Sequence, residues 1–171
     1  MRETIRYAFG KTSIGDIMVA VSDRGVVALE FVDDREIAEK SLHSRAPDGE
    51  VVADQMRLFL LLARINRIVD WPEDVSDIPL DLIGTSYEIQ VWNLLRQIAV
   101  GETTSYGALA AKLGTRDARD VTVAISTNPI AILVPCHRVL KKNGSISGYR
   151  WGVHRKRALL EREQAALRRK K

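Results

Sequence analysis

The chain has one cysteine, Cys136, among its 171 residues. One cysteine cannot form a disulfide within the chain, and it cannot supply the cysteine cluster of a structural zinc site. The fold therefore has to rest on a hydrophobic core, and 46% of the residues are hydrophobic. No stretch approaches the roughly 20 apolar residues of a membrane span, and the start lacks a signal-peptide pattern. We expect a cytoplasmic protein with a reduced thiol.

Charge is distributed unevenly along the sequence. The formal net charge is +4, but residues 1–80 carry 10 Lys and Arg against 15 Asp and Glu, a net of −5. Residues 81–171 carry 16 Lys and Arg against 7 Asp and Glu, a net of +9. A positive second half is typical of a domain that binds a polyanion such as nucleic acid. The alternative is an ordinary basic surface, and charge alone does not exclude it.

Residues 1–80 have the pattern of a small N-terminal α/β domain. Three runs of apolar and β-branched residues, separated by turns that contain Gly and Ser, predict a three-stranded antiparallel sheet. On the third strand, the acidic Glu30 interrupts the apolar residues. Two stretches of helical composition and an acidic linker follow. The predicted strands are 4–9, 14–21 and 26–32, and the predicted helices are 34–43 and 52–68.

Residues 81–171 are predicted to form a second, mainly helical C-terminal domain, which gives the whole chain an α+β fold. Apolar residues recur there at helical spacing in four stretches. The second and third stretches are short, and a tight turn at 115–117 joins them after Gly114. Such a pair is typical of a helix-turn-helix, although many helical hairpins share the pattern. The predicted helices are 86–98 with Ser86 as N-cap, 106–113, a third that begins at Ala118, and 153–167.

The outer face of the third of these helices is unusually smooth. Arg119 lies near its start, whereas Thr122, Val123 and Ser126 are small. A helix that reads the major groove normally carries long polar side chains for the base edges. This face instead suits close approach to the minor groove of double-stranded DNA, with Arg119 as its single long probe. The alternative is a surface arginine on a packed helix.

Cys136 follows the apolar run Ile130–Val134 and stands between Pro135 and His137. The apolar run predicts a rigid strand. A neighbouring His or Arg in a constrained turn lowers the pKa of a thiol, but free cysteine is also often an inert buried residue. On a regular strand, Cys136 and His137 would point to opposite faces. The two side chains can therefore act together only if the chain leaves strand geometry at this point.

Glu163 falls in the apolar stripe of the last helix, at i+3 from Leu160 and four residues before Leu167. A carboxylate that faces a core needs a partner. His137 is the candidate that would complete a Cys–His–Glu relay. The alternative is that Glu163 reaches a surface lysine at the edge of the stripe.

The specific motifs resemble those of the DNA repair alkyltransferases, the methylated-DNA–protein-cysteine methyltransferases, and in particular the repair half of the bacterial adaptive-response protein. The resemblance covers the whole chain in layout, but its specific part lies between residues 91 and 163. It rests on Val91-Trp92, Gly101-Glu102-Thr103-Thr104-Ser105-Tyr106, Ala118-Arg119, Asn128-Pro129, Pro135-Cys136-His137-Arg138-Val139, Gly144, Gly148-Tyr149-Arg150-Trp151-Gly152, Lys156, Leu159-Leu160 and Glu163.

The resemblance implies direct reversal of alkylation damage, without a metal or other cofactor, by a monomer bound to duplex DNA. Cys136 would take the alkyl group from O6 of guanine, and from O4 of thymine, in one irreversible turnover. His137 would act through a water as its base, oriented by Glu163. The resemblance also implies that Tyr106 presses on the target phosphate and donates near guanine N3, and that Arg119 fills the gap left by the flipped nucleotide. It further implies that Asn128 braces the turn and that the carbonyls of Cys136 and Val139 accept from the guanine amino group. Tyr149 would wall the pocket, with the Arg150 amide close to O6.

Some positions depart from the family pattern. Asp120 follows the finger arginine where a small residue is common, and it adds negative charge near the DNA. Ala131 stands in place of a bulkier residue and predicts a roomier pocket. Two alternatives to the transferase remain: an adaptor that binds alkylated DNA without chemistry, and a helix-turn-helix regulator. Relatives of the adaptor kind lack the reactive cysteine, and a regulator would not need the Pro-Cys-His-Arg segment.

Overall fold

A computed structural model describes residues 3–114, 117–146 and 148–170. Its first half is built on a sheet in the order β3-β2-β1-β4. The predicted three-stranded antiparallel sheet is present, but the prediction missed a fourth strand, which pairs in parallel with β1. The strands are β1 Thr4–Thr12, β2 Gly15–Val21, β3 Val26–Phe31 and β4 Glu50–Ala53.

Two helices accompany this sheet. Helix α1, Arg35–Arg45, follows Asp34, whose side chain accepts from the backbone N–H of Ile37 and so caps the first turn. Helix α2, Phe59–Asp70, packs its apolar stripe on the sheet. The predicted start of this helix at residue 52 is wrong, because residues 50–53 pair with β1 and the chain turns before the helix begins.

The second half is mainly helical, as predicted. Helix α3, Ser86–Leu95, is capped by a reciprocal pair between Thr85 and Glu88, one residue before the expected N-cap. The two helices of the predicted helix-turn-helix, α4 Tyr106–Leu113 and α5 Ala118–Ser126, pack against each other. The turn between them falls partly on residues 115 and 116, which lie outside the described residues. Helix α6, Val153–Arg169, completes the half.

The two halves meet along the free edge of β3. Leu29 donates its backbone N–H to the carbonyl of Pro129 at 3.0 Å and accepts from Ala131 at 2.7 Å. Val26 exchanges similar bonds with Pro79 and Asp81. One hydrophobic cluster extends from the sheet through α3, α5 and the segment around Cys136 to α6. The predicted division into two domains near residue 80 therefore stays a prediction, because the two halves share this core.

The apolar run before Cys136 is not a strand, and this prediction is wrong. Ile130 makes an isolated bridge to Leu29, residues 131–134 turn, and Ile132 takes a positive φ of 71°. Cys136–Arg138 forms a single 3₁₀ turn, after which β6, Val139–Leu140, pairs in parallel with β5, Thr104–Ser105. The chain thus leaves strand geometry at Cys136 and His137, which is the condition for the two side chains to act together.

None of the helices formed by the described residues is both long enough and apolar enough to cross a membrane.

Candidate active site

Asn128 organises the segment that carries the cysteine. The residue is fully buried two positions after the end of α5, and its side-chain Nδ2 donates to the carbonyls of Ile130 and Val134 at 3.1 and 3.0 Å. Its Oδ1 accepts from the N–H of Ile130 at 2.9 Å. One amide thereby satisfies several backbone groups of a buried, irregular segment, which would be costly to leave unpaired.

The same amide holds the cysteine. Nδ2 of Asn128 lies 3.3 Å from Sγ of Cys136, and Cys136 is 4% exposed. Burial raises the pKa of the Cys136 thiol to about 11, although the Asn128 hydrogen bond and the charges of Lys156 and Arg150 act in the opposite direction. Of the two interpretations that the sequence left open, a thiol with a lowered pKa and a buried thiol, the structure has the buried thiol. At neutral pH the resting group is the thiol.

His137 and Arg138, the two residues after Cys136 in the sequence, both bind Glu163. Nε2 of His137 lies 2.7 Å from Oε1 of Glu163, and the Arg138 guanidinium donates to both carboxylate oxygens at 2.8–3.1 Å. Arg138 also donates to the carbonyl of Ile98. The predicted contact between His137 and Glu163 is present, and Glu163 binds this buried imidazole and the buried Arg138 guanidinium rather than a surface lysine.

These contacts determine how the pair ionises. Burial alone would raise the pKa of Glu163, but the hydrogen bonds from His137 and Arg138 and the charge of Arg138 outweigh it and lower that pKa to about 2. Burial lowers the pKa of His137, and Glu163 opposes the change only in part. His137 is therefore neutral at neutral pH. Its Nδ1 is buried and has no hydrogen-bond partner among the described residues.

Lys156 is a site residue to which sequence reasoning gave no role. It is fully buried (0% exposed), and its Nζ donates to the carbonyl of Val139 at 2.7 Å. Burial lowers the pKa of Lys156, whereas the nearby Cys136 raises it. The signal was available in the sequence, because Lys156, Leu159 and Glu163 recur at helical spacing on α6. The buried stripe of α6 runs through these residues rather than through Leu160 and Leu167.

The aromatic loop after residue 148 lies close enough to the cysteine for Tyr149 and Arg150 to interact with it electrostatically. The Tyr149 ring packs edge-on against Trp151 with the centroids 5.3 Å apart. Burial raises the pKa of Tyr149 well above 10, and its hydroxyl has no hydrogen-bond partner among the described residues. Arg150 takes part through its side chain, since its Nη1 donates to the carbonyl of Asn128 at 2.7 Å.

Tyr106 and Arg119 lie on the helix pair outside this buried cluster. Tyr106 opens α4 directly after β5, and the pairing of Ser105 with Leu140 places it beside the segment that follows Cys136. Arg119 is exposed, and its guanidinium donates to the carboxylate of Asp117, which also caps α5. The smooth outer face of α5 is confirmed, because Thr122, Val123 and Ser126 are all exposed.

Comparisons with known proteins place the chain among characterised relatives. Residues 86–165 match the family described as "6-O-methylguanine DNA methyltransferase, DNA binding domain". The bifunctional transcriptional activator/DNA repair enzyme Ada of Escherichia coli is 37% identical over 160 residues, which cover 93% of this chain and 45% of that protein. The inducible methylated-DNA–protein-cysteine methyltransferase of Bacillus subtilis is 37% identical over 123 residues, which cover 71% of this chain and 69% of that protein. The crystal structure of Mycobacterium tuberculosis OGT in complex with DNA matches with a TM-score of 0.80 at 32% identity over 94% of both chains.

The fold and the site define a protein with one buried cysteine, which is followed in the sequence by the histidine of a buried His–Glu pair. The same half of the chain contains the helix pair α4 and α5. The chain belongs to the methylated-DNA–protein-cysteine methyltransferase family, which confirms the resemblance drawn from its motifs. It spans about half the length of Ada and of several other curated relatives that it matches.

Proposed function

We propose that this protein repairs DNA by transferring the alkyl group of O6-alkylguanine to Cys136. A bond forms between Sγ and the alkyl carbon, and the bond from that carbon to O6 breaks. The electron pair of the broken bond stays on the guanine, which takes up one proton. The thiol gives up one proton, to His137, so the protons balance. The observation that carries the proposal is the buried Cys136 next to the His137–Glu163 pair.

The ionisation state of the cysteine explains why a base is needed. A thiol with a pKa of about 11 is ionised at pH 7 to about one part in 10⁴, so the resting group is a poor nucleophile. Nε2 of His137 is committed to Glu163, which leaves the buried Nδ1 as the ring atom that can accept a proton through a water. Glu163 fixes the orientation of the ring and stabilises the imidazolium that forms.

Burial of Cys136 also determines how the substrate must be presented. A base stacked inside a duplex cannot reach a sulfur that is 4% exposed, so the nucleotide has to be flipped out, at about a few kcal/mol. We assign Arg119 to the space that the flipped nucleotide leaves, with the small face of α5 in the minor groove. Tyr106 donates near guanine N3, the carbonyls of Cys136 and Val139 accept from the guanine amino group, and Tyr149 and the Arg150 amide line the pocket.

The product explains why the reaction stops after one event. A thioether is a stable linkage, and alkylated Cys136 is no longer a nucleophile. We therefore propose a single turnover for each chain, performed by a monomer in the cytoplasm, with O4-alkylthymine as a further substrate.

A turnover count tests this function. The protein is mixed with an excess of duplex oligonucleotide that carries O6-methylguanine, and the restored guanine is quantified after digestion. We expect one guanine per protein chain and none with Cys136→Ser, which should bind the same duplex. Tight binding with no guanine restored by the wild type would identify an adaptor, and continued turnover would exclude a sacrificial cysteine.

A further inference from the structure

Glu30 is a buried carboxylate outside the proposed catalytic relay. It lies on β3, at the edge of the sheet in the first half, and it is 8% exposed. Its Oε1 lies 3.2 Å from Nη2 of Arg45 and 3.4 Å from Nη2 of Arg150. Arg45 belongs to the same half of the chain, whereas Arg150 belongs to the loop whose charge acts on Cys136. A buried carboxylate needs such partners, and here one of them comes from the active site.

Arg150 connects Glu30 with the nucleophile. While Nη2 of Arg150 faces Glu30, Nη1 donates to the backbone carbonyl of Asn128 at 2.7 Å. Asn128 in turn places its side-chain Nδ2 3.3 Å from Sγ of Cys136. A continuous set of hydrogen bonds and ion pairs therefore runs from the sheet, through Arg150 and Asn128, to the sulfur.

The backbone reinforces this connection at the neighbouring position. Leu29, next to Glu30 on β3, bonds to Pro129 and Ala131 on either side of Ile130. Pro129 directly follows Asn128, so the backbone bonds of Leu29 and the ion pair of Glu30 hold the same short segment. The charge of Arg150 also lowers the pKa of Cys136, although burial outweighs it.

We propose that Glu30 is a positioning residue for the alkyl transfer, acting across the contact between the two halves. It holds the Arg150 guanidinium against the Asn128 carbonyl, which keeps the Asn128 amide pointed at Sγ. This inference rests on the proposed function, because it concerns how readily the same cysteine becomes a thiolate. It assigns to the first half of the chain a part in the chemistry, beyond support of the fold.

The direction of the effect separates positioning from simple electrostatics. Loss of the Glu30 negative charge would, by Coulomb's law alone, lower the pKa of the thiol and speed its reactions. Release of Arg150 would raise that pKa and slow them, because the thiolate loses a positive charge and a well-placed donor. Glu30→Gln therefore slows the thiol if Glu30 acts through Arg150, and speeds it if the carboxylate acts only by its charge.

Alkylation of the single cysteine by iodoacetamide measures this directly. The variants are Glu30→Gln, Arg150→Gln, the double variant, and Arg45→Gln as a matched control that removes the other partner of Glu30. At about pH 8 we expect Arg150→Gln to react about three- to tenfold more slowly and Glu30→Gln about two- to fivefold more slowly, since one pKa unit is a tenfold change in thiolate. The double variant should match Arg150→Gln, and Arg45→Gln should stay within about twofold of the wild type.

The pH dependence distinguishes thiolate formation from access to the sulfur. Well below the pKa, a shifted pKa and an opened pocket both change the rate by a constant factor. The rates are therefore followed to above about pH 11, where a shifted pKa moves the pH at which the rate levels off and an opened pocket changes the plateau rate. Thermal unfolding of each variant shows whether the fold is retained. The double variant is compared with Arg150→Gln where the two have equal stability. Faster alkylation of Glu30→Gln, effects that multiply in the double variant, or an equal loss in Arg45→Gln would each overturn the proposal.

Iodoacetamide needs neither DNA nor alkyl transfer from guanine. Failure of the wild type to restore O6-methylguanine would therefore refute the proposed function while the comparison of Glu30→Gln with Arg150→Gln still stood. If instead the wild type transfers the methyl group and Glu30→Gln reacts as fast as the wild type in both assays, the repair function holds and the positioning role of Glu30 is excluded.

Discussion

The cluster around Cys136 and the outer face of α5 hold their charged groups in opposite ways. In the cluster, Glu163 binds the His137 imidazole and the buried Arg138 guanidinium, and Lys156 binds a backbone carbonyl. On α5, the Arg119 side chain is 90% exposed and is held by Asp117, two residues before it. Groups in the cluster are fixed by the protein itself, whereas Arg119 makes a weak surface ion pair that, under the proposed function, it would exchange for a partner in DNA. The difference separates a preorganised chemical site from a recognition surface that is completed by its ligand.

This contrast predicts the largest effect for Glu163→Gln. The variant leaves His137 without its carboxylate partner, so the imidazolium that forms during proton transfer is no longer stabilised. We expect the rate of alkyl transfer to fall by about 10²–10⁴, equally for duplex DNA and for a free O6-substituted guanine. Single-turnover kinetics with both substrates measure the loss. Glu161→Gln, an exposed neighbour on α6, is the control and should react like the wild type.

Glu163 also predicts a specific acid sensitivity. Its pKa in the folded protein is about 2, below its ordinary value of 4.5, so its contribution to stability is complete above about pH 4.5 and is lost as pH falls through 2. The contribution is on the order of 3 kcal/mol. Chemical unfolding between about pH 6 and pH 3 should show that Glu163→Gln is less stable at the higher pH and loses less stability on acidification. Parallel curves for variant and wild type would show that Glu163 is not held as an ion.

Arg119→Ala should have a smaller and more selective effect. Removal of an exposed side chain leaves the buried cluster intact, but the flipped nucleotide loses the group that fills its place. We expect transfer from duplex DNA to slow by about ten- to thirtyfold, while transfer from a free O6-substituted guanine stays within about twofold. Thr122→Ala on the same face controls for changes in surface shape. Equal losses with both substrates would contradict the role assigned to Arg119.

The sequence predicted the elements whose ends are set by local chemistry. Helix α4 begins and ends where the pattern indicated, because Ser105 caps its first turn and Gly114 ends it with a φ of 73°. The contact between His137 and Glu163 also followed from a local pattern, since a carboxylate in a buried helical stripe requires a partner.

Features set by distant residues were missed or mistaken. β4 exists because it pairs with β1, some 46 residues earlier in the chain, and no local pattern records such a partner. The run Ile130–Val134 is buried on all sides, so its apolar residues carry no period, and the Asn128 side chain gives it a turn instead of a strand. The pair of Glu30 and Arg150 spans 120 residues. The high pKa of the Cys136 thiol likewise comes from its burial, and no local pattern records how deeply a residue is buried.

The most direct test of the account is the mass of the peptide that contains Cys136 after reaction with a duplex carrying one O6-methylguanine. The account predicts a gain of one methylene group on that peptide, located on Sγ by fragmentation, in step with the loss of O6-methylguanine from the DNA. An unmodified Cys136 peptide after complete repair of the DNA, or a methyl group found on another residue, would contradict it.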